Sequence, residues 1–222
     1  MERLKKPRPS AAKRGARSTS MTTDKKLIAA AKRLLDTGGD EAVTLRAVGH
    51  ACGISHNAPY KHFKNRDALL AAVTTADFVL LADAFRKARS SAEKPTAKLT
   101  RTLKVLVDFS KKHPARYHLL FSTPSIAAQH GELKKAAVGA FAEVVGIVGE
   151  CQSLGELPEA PSATIALLLF ATAHGLIAIE ANGGLHPEKG LTGVAPGLEL
   201  LVQLCPEKPD AIGRTSSSDA PG

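Results

Sequence analysis

Tryptophan is missing from this chain of 222 residues, tyrosine occurs twice, and aromatics make up only 4% of the whole. Any core must be packed by Leu, Ala, Val and Ile, and at 44% hydrophobic residues there is ample material for one. Cysteine is almost as scarce. Cys52, Cys151 and Cys205 are far apart, odd in number and in no CxxC or Cys/His pattern, so neither a disulfide framework nor a metal site is expected. All three read as reduced, small, buried hydrophobes. Alternating polar and apolar runs are absent, which leaves an all-α protein. Absent too are GxSxG, a phosphate loop, HExxH and paired carboxylates. No catalytic residue, cofactor or metal is expected, and the chain reads as a non-enzyme. His113 and His118 do not share a helical face, because Pro114 stands between them.

No apolar stretch of signal-peptide length follows the basic N-terminus, so no export is implied and a cytoplasmic location is expected. Ala163 to Ala181 is long enough to span a bilayer, yet it carries Thr164, Thr172, His174, Gly175 and Glu180. Its neighbours lack flanking Lys/Arg or aromatic anchors, and no membrane partner is expected.

What the chain does have is positive charge in one place. The net +9 divides unevenly: residues 1–70 hold 15 Lys/Arg against 6 Asp/Glu, and residues 71–222 hold 15 of each. A generally basic soluble protein would spread its excess. Confined to one end, it is the footprint of a polyanion-binding surface. Residues 1–21 contain 7 Lys/Arg, one acid, two prolines and no hydrophobic period, so they read as a disordered basic arm able to follow a nucleic-acid backbone or groove.

From Thr23 to Thr37, Leu27, Ile28, Ala31, Leu34 and Leu35 mark an amphipathic helix, capped by Thr23 and ended by Gly38-Gly39. Leu45, Val48 and Cys52 then fall on one face of a short helix, and Gly53 is the residue best suited to a left-handed turn. Ser55 is placed to cap a second helix carrying Tyr60 and Phe63. Two helices joined by about three residues around a glycine read as a helix-turn-helix.

These residues carry a resemblance. Thr44, Gly53, Ser55, the step Ala58-Pro59-Tyr60, His62-Phe63 and then Asp67, Leu69 and Leu70 opening a long helix are similar to the DNA-binding segment of TetR-family transcriptional regulators. The sequence departs from that pattern at Gly49 and Cys52, where alanine is usual, and at Pro59. None of the three removes a group that would face DNA. Phosphate contacts suit short donors at helix N-termini and cations: Thr44, Ser55, Tyr60, Lys61, His62, Lys64 and Arg66. Base edges suit His56, Asn57 and the small Ala58-Pro59 pair, with Arg46 able to reach a base or a phosphate.

The long helix runs from Asn65 or Arg66 to about Arg89, and Ser90 to Pro95 interrupts the pattern. Helices follow over Leu99 to Phe109, Arg116 to Ser122, Leu133 to Cys151, Ala163 to Ala181 and Leu191 to Cys205. Pro114-Ala115-Arg116-Tyr117, Phe121, Phe170, His174 and Gly175 resemble the C-terminal domain type called WHG, with Phe170 in place of its Trp. The resemblance implies a small-molecule cavity, for which Phe109, His113, Tyr117, Phe121, Phe141, Phe170 and His174 are the candidates. The residues by themselves fit a plain aromatic core equally well.

The organisation expected is a basic arm (1–21), a helix-turn-helix DNA-binding domain (22–68), a helical ligand-binding and dimerisation domain (69–206) and a flexible tail (207–222), with about nine helices in all. One short recognition helix reads too few base pairs to select a site, since a mismatch costs only ~1–3 kcal/mol. A homodimer on a palindromic operator multiplies that selectivity, and apolar helices with small residues over 161–206 offer the interface. The functional expectation is a repressor of transcription released from double-stranded DNA by a small-molecule effector. The alternatives are an effector-independent DNA-binding protein and, further off, a small-molecule carrier or enzyme.

Overall fold

A computed structural model describes residues 21–122 and 131–204. The described residues form eight α-helices and no strand: α1 (Thr23–Gly38), α2 (Leu45–Ala51), α3 (Arg66–Arg89), α4 (Pro95–Lys112), α5 (Pro114–Ser122), α6 (Gly131–Ser153), α7 (Ser162–Ala181) and α8 (Val194–Gln203). The all-α expectation holds. The basic arm apart from Met21, the tail after 206 and Cys205 lie outside the described residues.

Two cores organise these helices. Leu27, Ala30, Ala31 and Leu35 of α1 meet Leu45 and Val48 of α2, Phe63, and Leu69, Leu70 and Val73 at the start of α3. Further along α3, Phe78, Leu81, Ala82 and Phe85 enter the larger core with α4, α6, α7 and α8. The long helix is therefore common to both. Its start is fixed by Asn65, whose side chain accepts the Ala68 amide at 2.9 Å, and its ends complement the helix dipole with Asp67 in the first turn and Arg86, Lys87 and Arg89 in the last. One residue of α5 crosses over: Leu119, 6% exposed, belongs to the smaller core.

Two expected caps differ from what forms. The cap position of α1 is Thr22, one residue earlier than Thr23, and its side chain makes no cap bond to the first turn. More consequentially, no α-helix forms over Ser55 to Phe63. The chain makes a 3-10 helix, Ala58–Lys61, preceded by Asn57 without a side-chain cap. Proline explains it. In an α-helix starting at Ser55 the amide of residue 59 would donate to the Ser55 carbonyl, but Pro59 has no N–H. The Ala58 amide takes that carbonyl instead, at 3.0 Å and with the tighter spacing.

Candidate functional site

The segment after α2 is held from beneath and bare on top. Thr44 caps α2 through a 3.0 Å bond from the Ala47 amide to its hydroxyl oxygen. Gly53, at φ 66°, makes the left-handed turn that the sequence asks for. Phe63 and Pro59 are buried and Ile54 is half-buried, so three apolar side chains pin the turn to the small domain. Between them Ser55, His56, Asn57, Tyr60, Lys61, His62 and Lys64 are exposed, as is Arg46 on α2, and Tyr60 keeps 56% of its surface. Every outward group can donate a hydrogen bond, Arg46, Lys61 and Lys64 are cations, and no Asp or Glu stands among residues 42–66. The arrangement presents a positively charged knuckle.

Two of the proposed contacts are placed differently. Pro59 packs inward against Gly49, so of the Ala58-Pro59 pair it is Ala58, half-buried, that remains near the surface. Arg66 turns its guanidinium back on the fold, with Nε donating to the Val43 carbonyl and Nη2 to the Asp40 carbonyl, both at 2.7 Å, and an ion pair to the Asp40 carboxylate. It braces the approach to α2.

Where α1, α3 and α5 meet lies a buried charge node that the sequence reading did not single out. Asp77, 1% exposed in the middle of α3, accepts from Arg116 of α5 through both carboxylate oxygens and pairs with Lys32 of α1 at 2.8 Å. Asp36 of α1 pairs with Arg116 Nη1 at 3.2 Å. Two cations and two anions balance, which is the condition for keeping charge out of water. Burial works against the Arg116 charge, but its hydrogen bonds and the fields of Asp77 and Asp36 hold its pKa above the usual arginine value. Its guanidinium also lies over the Phe109 ring, 5.3 Å from the centroid. His113 Nδ1 sits 3.0 Å from Asp36 Oδ2 without the alignment of a hydrogen bond. The signal in the sequence was an aspartate within residues 68–82 of α3, a stretch with no other charged residue.

Five of the seven pocket candidates come together. Tyr117, Phe121, Phe141, Phe170 and His174 pack ring on ring, joined by Phe78: Phe121 lies 4.2 Å from His174 and 5.8 Å from Phe78, and Phe170 lies 4.8 Å from His174 and 6.1 Å from Phe141. The Tyr117 hydroxyl bonds His174 Nδ1. Burial lowers the His174 pKa to about 4, so the ring is neutral at physiological pH, and burial pushes the Tyr117 hydroxyl well up. Phe109 and His113 are not in this cluster; they face the charge node.

Residues 27–73 match the family described as bacterial regulatory proteins, tetR family, and residues 99–193 match the tetracyclin repressor-like C-terminal domain. The chain belongs to the TetR family of transcriptional regulators. Solved TetR-family structures share its fold: PfmR from Thermus thermophilus superposes with a TM-score of 0.58 at 16% identity, covering 81% of this chain and 96% of that one. A regulator from Marinobacter aquaeolei gives 0.61 at 16%, covering 82% and 92%. A protein of unknown function from a Rhodococcus species gives 0.72 at 25%, covering 85% and 95%. No curated protein matches the chain by sequence.

For a TetR-family regulator the open space in the C-terminal domain matters as much as its rings. A cleft of about 630 Å³ lies between α4, α5 and α7, with Ser110, Lys111, Pro114, Tyr117, Ile177 and Glu180 on its walls. Of the seven candidates, Tyr117 is the one that lines it. The other face of α7, with Leu167, Leu168, Ala171, Gly175 and Ile179, is exposed, as are Leu200 of α8 and Leu204 just after it. Only 28% of the most apolar window of α7 is buried within the chain.

Proposed function

We propose that this TetR-family regulator is a repressor that binds a palindromic operator as a homodimer and lets go when a small molecule enters its C-terminal domain. The observation that carries the reading is the double attachment of α5. Arg116 and Leu119 on one face fasten it to α1 and the small core, while Tyr117 and Phe121 on another face stand among the rings of the C-terminal domain. A ligand that shifts α5 must move α1 or break the node. Since α1 packs against α2, and α2 against the 58–61 turn, the two knuckles of a dimer then change separation relative to successive major grooves.

The DNA-facing groups in this reading are Thr44, Arg46, Ser55, His56, Asn57, Ala58, Tyr60, Lys61, His62 and Lys64, with Arg66 as their brace. The exposed apolar face of α7 and α8, within 161–206, is the dimer interface. No catalytic role is assigned to any residue. The mutual packing of the rings favours a second reading, a DNA-binding protein with no effector, because a filled cluster needs no ligand. The experiment that separates the two is selection of binding sites from random duplexes, followed by operator titration in the presence of compounds that raise the melting temperature. A stabilising compound that weakens operator binding supports regulation, and stabilisation with unchanged operator affinity argues for the second reading.

A further inference from the structure

The seam between α5 and α7 is closed at one end and open at the other. Phe121 meets Phe170 and His174, and one turn earlier Tyr117 meets His174. Beyond that, Pro114 faces Ile177, Ala178 and Ala181 across the cleft, which is therefore the continuation of the ring cluster with its filling left out. Its volume of about 630 Å³ lies in the range of small-molecule sites, ~300–1,000 Å³.

The polar groups on the walls are already engaged. The Tyr117 hydroxyl is bonded to His174, the Ser110 hydroxyl donates to the Val107 carbonyl at 2.8 Å, and the Asn182 side-chain amide donates to the Ala178 carbonyl at 2.8 Å. Lys111 pairs with Glu180 at 3.1 Å, and Glu180 Oε1 also accepts the Val194 amide at 3.4 Å. A carboxylate entering the cleft would find its cation held and an anion beside it. An ammonium group would meet the reverse. Of the polar side chains on the walls, only that of His118 makes no hydrogen bond among the described residues.

We infer that this cleft is the effector site and that it takes an uncharged, elongated, largely apolar molecule, lying along the seam with its inner end on Tyr117 and a single acceptor oxygen toward His118. The inference rests on the regulatory reading above for the word effector, and on the cleft alone for the site and the chemistry. Such a ligand touches Pro114, the first residue of α5, two residues from Arg116. Its placement puts pressure at the end of the helix that carries the charge node.

The test uses the full chain at pH 8 and three probes of one shape: 4-acetylbiphenyl, biphenyl-4-carboxylate and biphenyl-4-ylmethylammonium. Isothermal titration calorimetry should show the acetyl compound binding roughly tenfold or more tightly than either ion. Ala181→Phe, which fills the cleft, should abolish that binding, with Ala178→Leu as a second, smaller plug and circular dichroism to confirm folding. Glu180→Gln should free Lys111 and move the preference toward the carboxylate. Tighter binding of either ion by the unaltered chain, binding indifferent to both plugs, or no binding of any probe would overturn the proposal. If the neutral probe binds in the cleft and operator affinity stays unchanged, the site and ligand class stand and the regulatory reading falls.

Discussion

At Gly49 an added Cβ would lie 2.9 Å from Pro59 Cγ, closer than carbon atoms approach. The two positions where this chain departs most visibly from the family pattern are thus one contact: proline at 59 needs the room that glycine at 49 leaves. Gly49→Ala should destabilise the small domain by about 1–3 kcal/mol, the usual range for overpacking. Adding Pro59→Ala should recover most of that loss, and a double-mutant cycle by urea denaturation will show coupling above ~0.5 kcal/mol. His174 makes a second prediction. Its folded pKa of about 4 lies below the ordinary value of 6.5, so the unfolded chain takes up the proton first. Stability is complete above pH 6.5, declines as pH falls toward 4 and loses nothing further from this group below that. Allowing for the partial exposure of the ring, the loss should be about 2 kcal/mol, and His174→Phe should flatten the profile over that window.

The elements tell how much could be read beforehand. Helix boundaries were legible where a period ran into Gly or Pro: Gly38-Gly39 and Ser90 to Pro95 stand at or beside observed ends. The Ser55 to Phe63 helix was not, because spacing alone cannot tell an α-turn from a 3-10 turn, and the missing amide of Pro59 decided the matter. The exposed polar residue types of the segment could be named from the sequence, whereas the inward turn of Pro59 and Arg66 depends on partners at Gly49, Val43 and Asp40. The charge node escaped for a similar reason: Lys32, Asp36, Asp77 and Arg116 come from three helices, and no local pattern joins them. Removing Asp77 leaves Arg116 buried beside Asp36 alone and Lys32 unpaired. Asp77→Asn should cost about 3 kcal/mol in thermal or chemical unfolding, the usual scale for breaking a buried pair. In the regulatory reading it should also loosen the link from effector to operator, seen as a smaller ligand-induced change in operator affinity per unit of ligand binding.

At the scale of the molecule, an apolar helix face left open is a statement about assembly. Leu168 is 63% exposed and Leu167 59%, side by side on α7. Burying a leucine contributes ~1.5–3 kcal/mol, so two copies meeting across a two-fold axis gain several such terms. Sedimentation at micromolar concentration should give a dimer, and Leu168→Glu should shift it toward monomer while weakening operator binding; a monomeric unaltered chain would remove the proposed interface. The N-terminal arm makes its own prediction, since seven cations near phosphate release counterions. Deleting residues 1–21 should lower DNA affinity and flatten its dependence on log salt, and an unchanged slope would mean that the arm touches no phosphate.

The knuckle between α2 and α3 is positioned by Ile54, Pro59 and Phe63, while its outward side chains are exposed. Foothold and vocabulary are thereby separate. In the reading proposed above, exchanging His56, Asn57 or Lys61 should change which duplex is favoured at little expense in folding, and new operators come within reach one substitution at a time.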